Sequence, residues 1–388
     1  MSAAAVKIVL FANTDWYLYN FRRALALALR EAGYEVVLLS PAGPYGARLE
    51  AEGLRWQPVP MSRRSLNPLR EARLLLHLAA LFRRERPALV HGFTIKCAVY
   101  GALAARMARV PARISAVAGM GYVFTSTDLK ARLLRPPLRG LMRAAFDGAN
   151  ARVILQNPDD AKLFREARLA DARRIVLIPG SGVDCTRFVP EPMRGPPRAP
   201  FRVLLAARLL WDKGVAEYAA AARLLHAQGR AIECLLAGEP DPGNPAAVPE
   251  ATVREWDASG VLRWLGHVED MPALLATVDL VVLPSYREGL PKGLIEAAAC
   301  AKPLITTDVP GCRDVVEHEV DGLRVPPRDA AALAGAIARL HDDPDLATRL
   351  GRAARIKASS TFDERIVIER TLAVYRELIG STHRNVYR

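Results

Sequence analysis

The sequence predicts an α/β protein with two doubly wound parallel-sheet domains, and three observations carry that reading. The chain has 388 residues, 51% of them hydrophobic, which exceeds one average domain of about 150 residues and provides for two cores. Short apolar runs alternate with helical stretches along its length, the pattern of βαβ units. Five prolines within residues 190–200 interrupt the alternation, which then restarts, so that segment reads as a linker.

Residues 6–12 (VKIVLFA) read as a first strand and not as a signal peptide, because the run stops at once in Asn13-Thr14-Asp15. Helical periodicity over 21–32 ends at Gly33, and 35–40 (EVVLLS) is a second strand. A long helix over 68–86 leads to a strand at 88–91, and a helix over 100–109 leads through Pro111 to another at 113–118. In 129–146 (LKARLLRPPLRGLMRAAF) the pair Pro136-Pro137 predicts two short pieces in place of one helix. Strands at 151–156 and 175–179 complete the first half. Beyond the linker, strands are expected at 202–207, 233–237, 261–265, 280–284, 304–307 and 323–325, with a charged helix over 362–379. The expected domains are 1–189 and 201–360, joined by 190–200, with a C-terminal helix, 361–388, returning to the first domain. Ligands of such sheets bind at the carboxyl ends of the strands, which places the active site in a cleft between the halves.

Composition narrows the function. The five cysteines are odd in number and never spaced as CxxC, which argues for reduced thiols and against structural zinc. No apolar run approaches the roughly 18 residues that span a bilayer. The net charge of +13 is uneven: residues 1–195 hold 30 Lys/Arg against 15 Asp/Glu, whereas 196–388 hold 24 against 26. Residues 55–143 alone carry 17 basic and three acidic side chains, which points to an anionic partner there. Nucleic acid, anionic lipid and a phosphorylated substrate all qualify. Basic and apolar residues interleaved over 129–146 fit a surface in lipid headgroups, or a core helix with a solvated basic face.

Two clusters carry chemistry. Residues 283–296 (LPSYREGLPKGLIE) read as a strand end, a loop, and a helix whose first turn suits Pro291. The N–H groups of Gly289 and Leu290 then lie at a helix N-terminus, which favours a polar or anionic ligand. Glu288 is placed to accept ligand hydroxyls, and Glu296, among apolar neighbours, to accept two vicinal hydroxyls as on a ribose. In 202–214 (RVLLAARLLWDKG), Arg208 and Lys213 follow a strand, where two cations can neutralise a diphosphate. Asp343-Pro344-Asp345 looks like a metal-binding pair but reads as turn chemistry.

These residues resemble the retaining family-4 glycosyltransferases of the GT-B fold, two Rossmann-like domains facing across a cleft. The resemblance rests on Arg208 and Lys213 five positions apart, Pro284-Ser285 with Glu288-Gly289, Glu296 eight positions after Glu288, Pro310-Gly311, Asp321-Gly322, and Gly180-Ser-Gly182-Val-Asp184. One departure is Ala301, where the family usually has glycine and where only a tighter turn is expected. The resemblance implies that Arg208 and Lys213 stabilise a leaving diphosphate, Glu288 holds the transferred sugar, and Glu296 grips the ribose. No metal or cofactor is implied, because the cations serve instead. The implied donor is a nucleotide-sugar, expected to be a UDP-sugar. His91-Gly-Phe-Thr-Ile-Lys96 and Gly119-Met-Gly121 resemble members that extend lipid-linked bacterial surface glycans. Such an enzyme would be cytoplasmic and peripheral on the inner face of the membrane, held there by its basic first domain.

The loop after the first strand lacks the usual glycines, which leaves Asn13, Asp15, His91 and Gly121 as candidate acceptor or cleft residues. His91 also reads as a structural histidine. The alternative function is a nucleic-acid-binding protein using the basic half, but the sequence has no helix-turn-helix spacing, stacking motif or zinc ligands. A dinucleotide-dependent dehydrogenase is disfavoured because no GxGxxG follows the first strand.

Overall fold

The computed structural model describes residues 5–63, 65, 67–119, 129–191 and 200–386. Their strands form two all-parallel sheets of seven and six strands. The first contains β1 (Lys7–Phe11), β2 (Glu35–Ser40), β3 (Arg55–Pro58), β4 (Leu89–Phe93), β5 (Ala112–Val117), β6 (Ala151–Leu155) and β7 (Ile175–Leu177). The second contains β8 (Phe201–Ala206), β9 (Ile232–Ala237), β10 (Arg263–Gly266), β11 (Leu280–Leu283), β12 (Leu304–Thr307) and β13 (Leu323–Val325).

The orders are β3-β2-β1-β4-β5-β6-β7 and β10-β9-β8-β11-β12-β13. Each order reverses once, between β1 and β4 and between β8 and β11. At such a reversal the loops at the strands' carboxyl ends diverge and leave a crevice for ligand.

Both faces of each sheet are covered, which explains why the strands read as unbroken apolar runs. In β1, Ile8 and Leu10 enter one apolar layer and Val9 and Phe11 the other. In β8, Val203 and Leu205 pack on one side and Leu204 on the other.

The chain divides into two compact units, Met1–Ser181 with Val367–Arg388, and Gly182–Ile366. The first break therefore falls before the proline-rich segment, which itself lies outside the described residues except for its ends. Residues 182–189 belong to the second unit because that unit binds their backbone. Val183 N–H donates to the Phe362 carbonyl at 2.9 Å. The Arg355 guanidinium donates to the carbonyls of Cys185, Phe188 and Ala299 at 3.0, 2.8 and 2.6 Å. From Val367 onward the C-terminal helix (Glu364–Val386) packs in the first unit, with Tyr375 and Leu378 in the layer of Ile8 and Leu10.

Residues Leu129–Phe146 form one helix that contains Pro136 and Pro137, not the two pieces expected from the prolines. Proline in a helix interior costs about 3 kcal/mol or more. Packing outweighs it here: Met142, Ala145 and Phe146 are fully buried with Phe164 and Leu155.

Candidate active site

The loops after β8 and β11 meet at the switch point of the second sheet. After β8 the chain makes a short turn, Trp211–Lys213, and leaves it through Gly214 at φ +73°. A Cβ on Gly214 would lie 2.1 Å from the Pro284 carbonyl oxygen, so only glycine lets the two loops touch. Ser285 Oγ and the Tyr286 N–H both donate to the Asp212 carbonyl at 2.9 Å. Glu288 N–H donates to the Pro310 carbonyl at 3.1 Å. Gly311, at φ +80°, passes where a Cβ would come within 2.5 Å of the Glu288 carbonyl oxygen.

This bracing brings the Lys213 ammonium onto the Glu288 carboxylate as an ion pair, with side chains 18% and 12% exposed. Arg208 is more open and donates to Asp241 at 3.2 Å. Glu288 and Gly289 lie in the turn before the helix Lys292–Ala299. Leu290 packs against the neighbouring core, and Pro291 is the residue flanking the helix start, one position earlier than expected. On that helix Glu296 lies 3.6 Å from Lys292. Its carboxyl is pushed above the ordinary value by desolvation, which the cations of Lys292 and Arg187 only partly oppose.

Arg208, Lys213, Glu288, Gly289, Leu290, Pro291 and Glu296 thus come from the loops and one helix at this switch point. Among the described residues no group of three or more His, Cys, Asp or Glu side chains is arranged to hold a metal ion. Asp343 caps the helix Pro344–Lys357, its Oδ1 accepting from Leu346 N–H at 2.9 Å.

The candidates of the first unit are dispersed in role. Asn13 is half-buried after β1. Asp15 is buried, and its carboxylate accepts from the backbone N–H groups of Trp16, Tyr45 and Gly46 at 2.8, 2.7 and 3.1 Å, tying the loop after β2 to that after β1. His91 is buried in β4, with Nδ1 2.5 Å from the Tyr375 hydroxyl. Burial, and then the charge of Arg22, hold its pKa well below the ordinary value, so the ring is neutral. Gly121 lies outside the described residues.

Sequence reasoning missed Asp241, Arg187 and Arg22. Arg187 was legible in principle, since it adjoins Phe188 in a segment that already stood out. Nothing in sequence ties Asp241 to Arg208, 33 positions earlier.

Comparison with known proteins agrees with this geometry at both ends. The family described as "Glycosyl transferase 4-like" matches residues 7–157, and "Glycosyl transferases group 1" matches residues 200–343. The chain is a family-4 glycosyltransferase. This glycosyltransferase is 29% identical over 372 residues to the N,N'-diacetylbacillosaminyl-diphospho-undecaprenol alpha-1,3-N-acetylgalactosaminyltransferase of Campylobacter jejuni, covering 93% of the chain and 96% of the relative. It is 26% identical to the UDP-Gal:alpha-D-GlcNAc-diphosphoundecaprenol alpha-1,3-galactosyltransferase of Escherichia coli, over 74% of each chain. The sucrose-phosphate synthase of Thermosynechococcus elongatus shares its GT-B fold, with a TM-score of 0.78 at 22% identity over 97% and 100% of the two chains.

Proposed function

We propose that this enzyme transfers a hexose or N-acetylhexosamine, with retention, from a UDP-sugar to a glycan carried on a polyprenyl diphosphate, in assembly of a bacterial surface glycan. The carrying observation is the Lys213–Glu288 pair at the switch point of the second sheet, flanked by Arg208 and Glu296. As the bond from the anomeric carbon to the diphosphate oxygen breaks, the electron pair leaves with the phosphate. Fixed cations at Arg208 and Lys213 stabilise that charge in place of a metal. The acceptor hydroxyl forms the new glycosidic bond, and its proton passes to the leaving phosphate. Glu288 accepts from hydroxyls of the transferred sugar, and Glu296 from the ribose. The acceptor class is supported by the names of the two relatives, both of which specify a diphospho-undecaprenol substrate.

The same reading has the first unit resting on an anionic membrane. Support comes from the helix Pro68–Glu85, whose exposed side carries Leu69 and Leu76, 70% and 59% exposed, together with Arg70, Arg73, Arg83 and Arg84. Its two acids are engaged inward, Glu71 with Lys96 and Glu85 with Arg55 and Lys7. Among the described residues no helix is long and apolar enough to cross a bilayer. Flotation with phosphatidylglycerol vesicles but not with phosphatidylcholine vesicles is expected, and equal behaviour in both would refute this part.

The donor is tested by thermal shift with UDP, GDP, ADP and TDP in EDTA. Stabilisation by UDP, about 2.7 kcal/mol at a hundred times Kd, should survive EDTA and vanish in Arg208→Ala. Loss on chelation would mean a metal carries the diphosphate.

A further inference from the structure

The first sheet has its own switch point, between β1 and β4, and unusual features gather there. Arg22 closes the loop that follows β1 and is only 7% exposed. Its guanidinium lies over the rings of Phe93 and Tyr17, 4.3 and 5.6 Å from their centroids. Its Nη2 donates to the Tyr17 hydroxyl at 3.1 Å. No carboxylate pairs with it among the described residues, and its Nε is buried without a hydrogen-bond partner. Ring contacts occupy the faces of a guanidinium, but its donors lie in its plane, so these contacts leave Nε unsatisfied. A buried cation with no counter-ion and an unsatisfied Nε is unfavourable unless something else supplies the missing partners.

His91 stands beside it at the end of β4, its ring 4.0 Å from that of Phe93. The Tyr375 hydroxyl meets Nδ1, and burial raises the Tyr375 pKa, so that phenol keeps its proton. With Tyr375 donating to Nδ1, the imidazole proton sits on Nε2, and Nε2 is likewise buried without a partner. Two donors of one small region therefore lack acceptors.

The backbone there is also irregular. Leu18–Arg22 is a π-helical turn, a rare form that is frequent at functional sites. Thr94, directly after β4, holds φ +69°, which a β-branched residue adopts only under constraint.

We propose that Arg22 and His91 Nε2 form a phosphate-binding site at the first switch point, and that it receives the phosphate of the lipid-linked acceptor. A phosphate oxygen pair matches the planar edge of a guanidinium, and a neutral imidazole N–H supplies a further donor. The assignment to the acceptor rests on the transferase reading above, because the donor's diphosphate is placed in that reading on Arg208 and Lys213 of the other unit. The shared chemistry is a diphosphate, and donor and acceptor both contain one.

The test uses the full chain and two probes, geranyl diphosphate and UDP, with binding measured by calorimetry. Arg22→Gln should weaken geranyl diphosphate at least tenfold, and Arg22→Lys should weaken it less, while both leave UDP affinity unchanged. With the lipid-linked acceptor, Arg22→Lys should raise the acceptor KM and leave the donor KM alone. His91→Phe should weaken geranyl diphosphate a few-fold. If Arg22→Gln does not fold, Arg22→Lys still decides through the split between the two KM values. Wild-type affinity for geranyl diphosphate retained in both arginine variants would overturn the proposal, as would no binding to the wild type. Loss of UDP in place of geranyl diphosphate would assign the site to the donor and overturn it too. Failure of the wild type to bind UDP would instead overturn the UDP-donor reading, and loss of geranyl diphosphate binding in the arginine variants would still decide the acceptor site.

Discussion

Lys213 and Glu288 form an ion pair although they follow different strands, β8 and β11, which are neighbours in the sheet but far apart in sequence. In the proposed reaction the pair would hold a cation where a leaving diphosphate needs one, and a carboxylate for sugar hydroxyls beside it. Alanine at Glu288 is expected to lower kcat at least about a hundredfold, the scale of one lost transition-state contact, while UDP still stabilises the protein. Because the two side chains act together, Lys213→Ala with Glu288→Ala should cost far less than the product of the single effects. Steady-state kinetics of the double-mutant cycle checks this, and full additivity would show that the pair is incidental.

Glu85 links the starts of β1 and β3, accepting from Lys7 at 2.9 Å and from Arg55 through both oxygens at 2.9 and 2.8 Å. The Arg55 hydrogen bonds, aided by Lys7 and opposed by desolvation, lower its pKa from 4.5 to about 2. A carboxyl whose folded pKa is depressed stabilises above its unfolded pKa and loses that contribution as pH falls through the folded value. Wild type should therefore lose on the order of 3 kcal/mol between pH 4.5 and 2 through this group. Denaturant unfolding of wild type and Glu85→Gln should show a gap that closes over that window. A constant gap would contradict the linkage.

Ala301 sits just past the helix Lys292–Ala299 with φ +55°. This is the left-handed position where helices most often end in glycine. The departure noted in sequence is therefore a strained alanine, more than a tighter turn. Ala301→Gly should stabilise by up to about 1 kcal/mol, offset in part by the freer unfolded chain. A fall in Tm would mean that the alanine methyl contributes more by packing than its backbone costs.

The fold was legible because its physics is local and repetitive. Strands covered on both faces, such as β1 and β8, are nearly all apolar, and their spacing leaves room only for crossover helices. Arg208, Lys213, Glu288 and Glu296 were legible because they stand at fixed offsets from such strands. Long-range decisions escaped. The domain break depends on Arg355 reaching back to Cys185 and Phe188, and the helix through Pro136-Pro137 depends on the burial of Phe146. Arg22 reads as one of two arginines opening an amphipathic helix, and nothing local marks it as the one that is buried.

Glu296 makes the last case, where stability and function should move in opposite directions. Desolvation raises its pKa despite Lys292 and Arg187, so the ionised carboxylate is held at a cost in the free protein. A carboxyl with a raised folded pKa is best accommodated at low pH, and its penalty grows as pH rises from the unfolded toward the folded value and persists above. Glu296→Gln removes the charge and keeps the shape, so the free variant should melt above wild type at neutral pH, with the advantage shrinking on acidification. In its proposed role the same change would weaken the acceptor for two ribose hydroxyls, and hydrogen bonds to charged groups contribute about 1.5–3 kcal/mol. UDP affinity should therefore fall roughly ten- to a hundredfold, while 2′,3′-dideoxyuridine diphosphate binds both proteins alike. A variant that is more stable and still binds UDP like wild type would leave Glu296 with no part in holding the nucleotide.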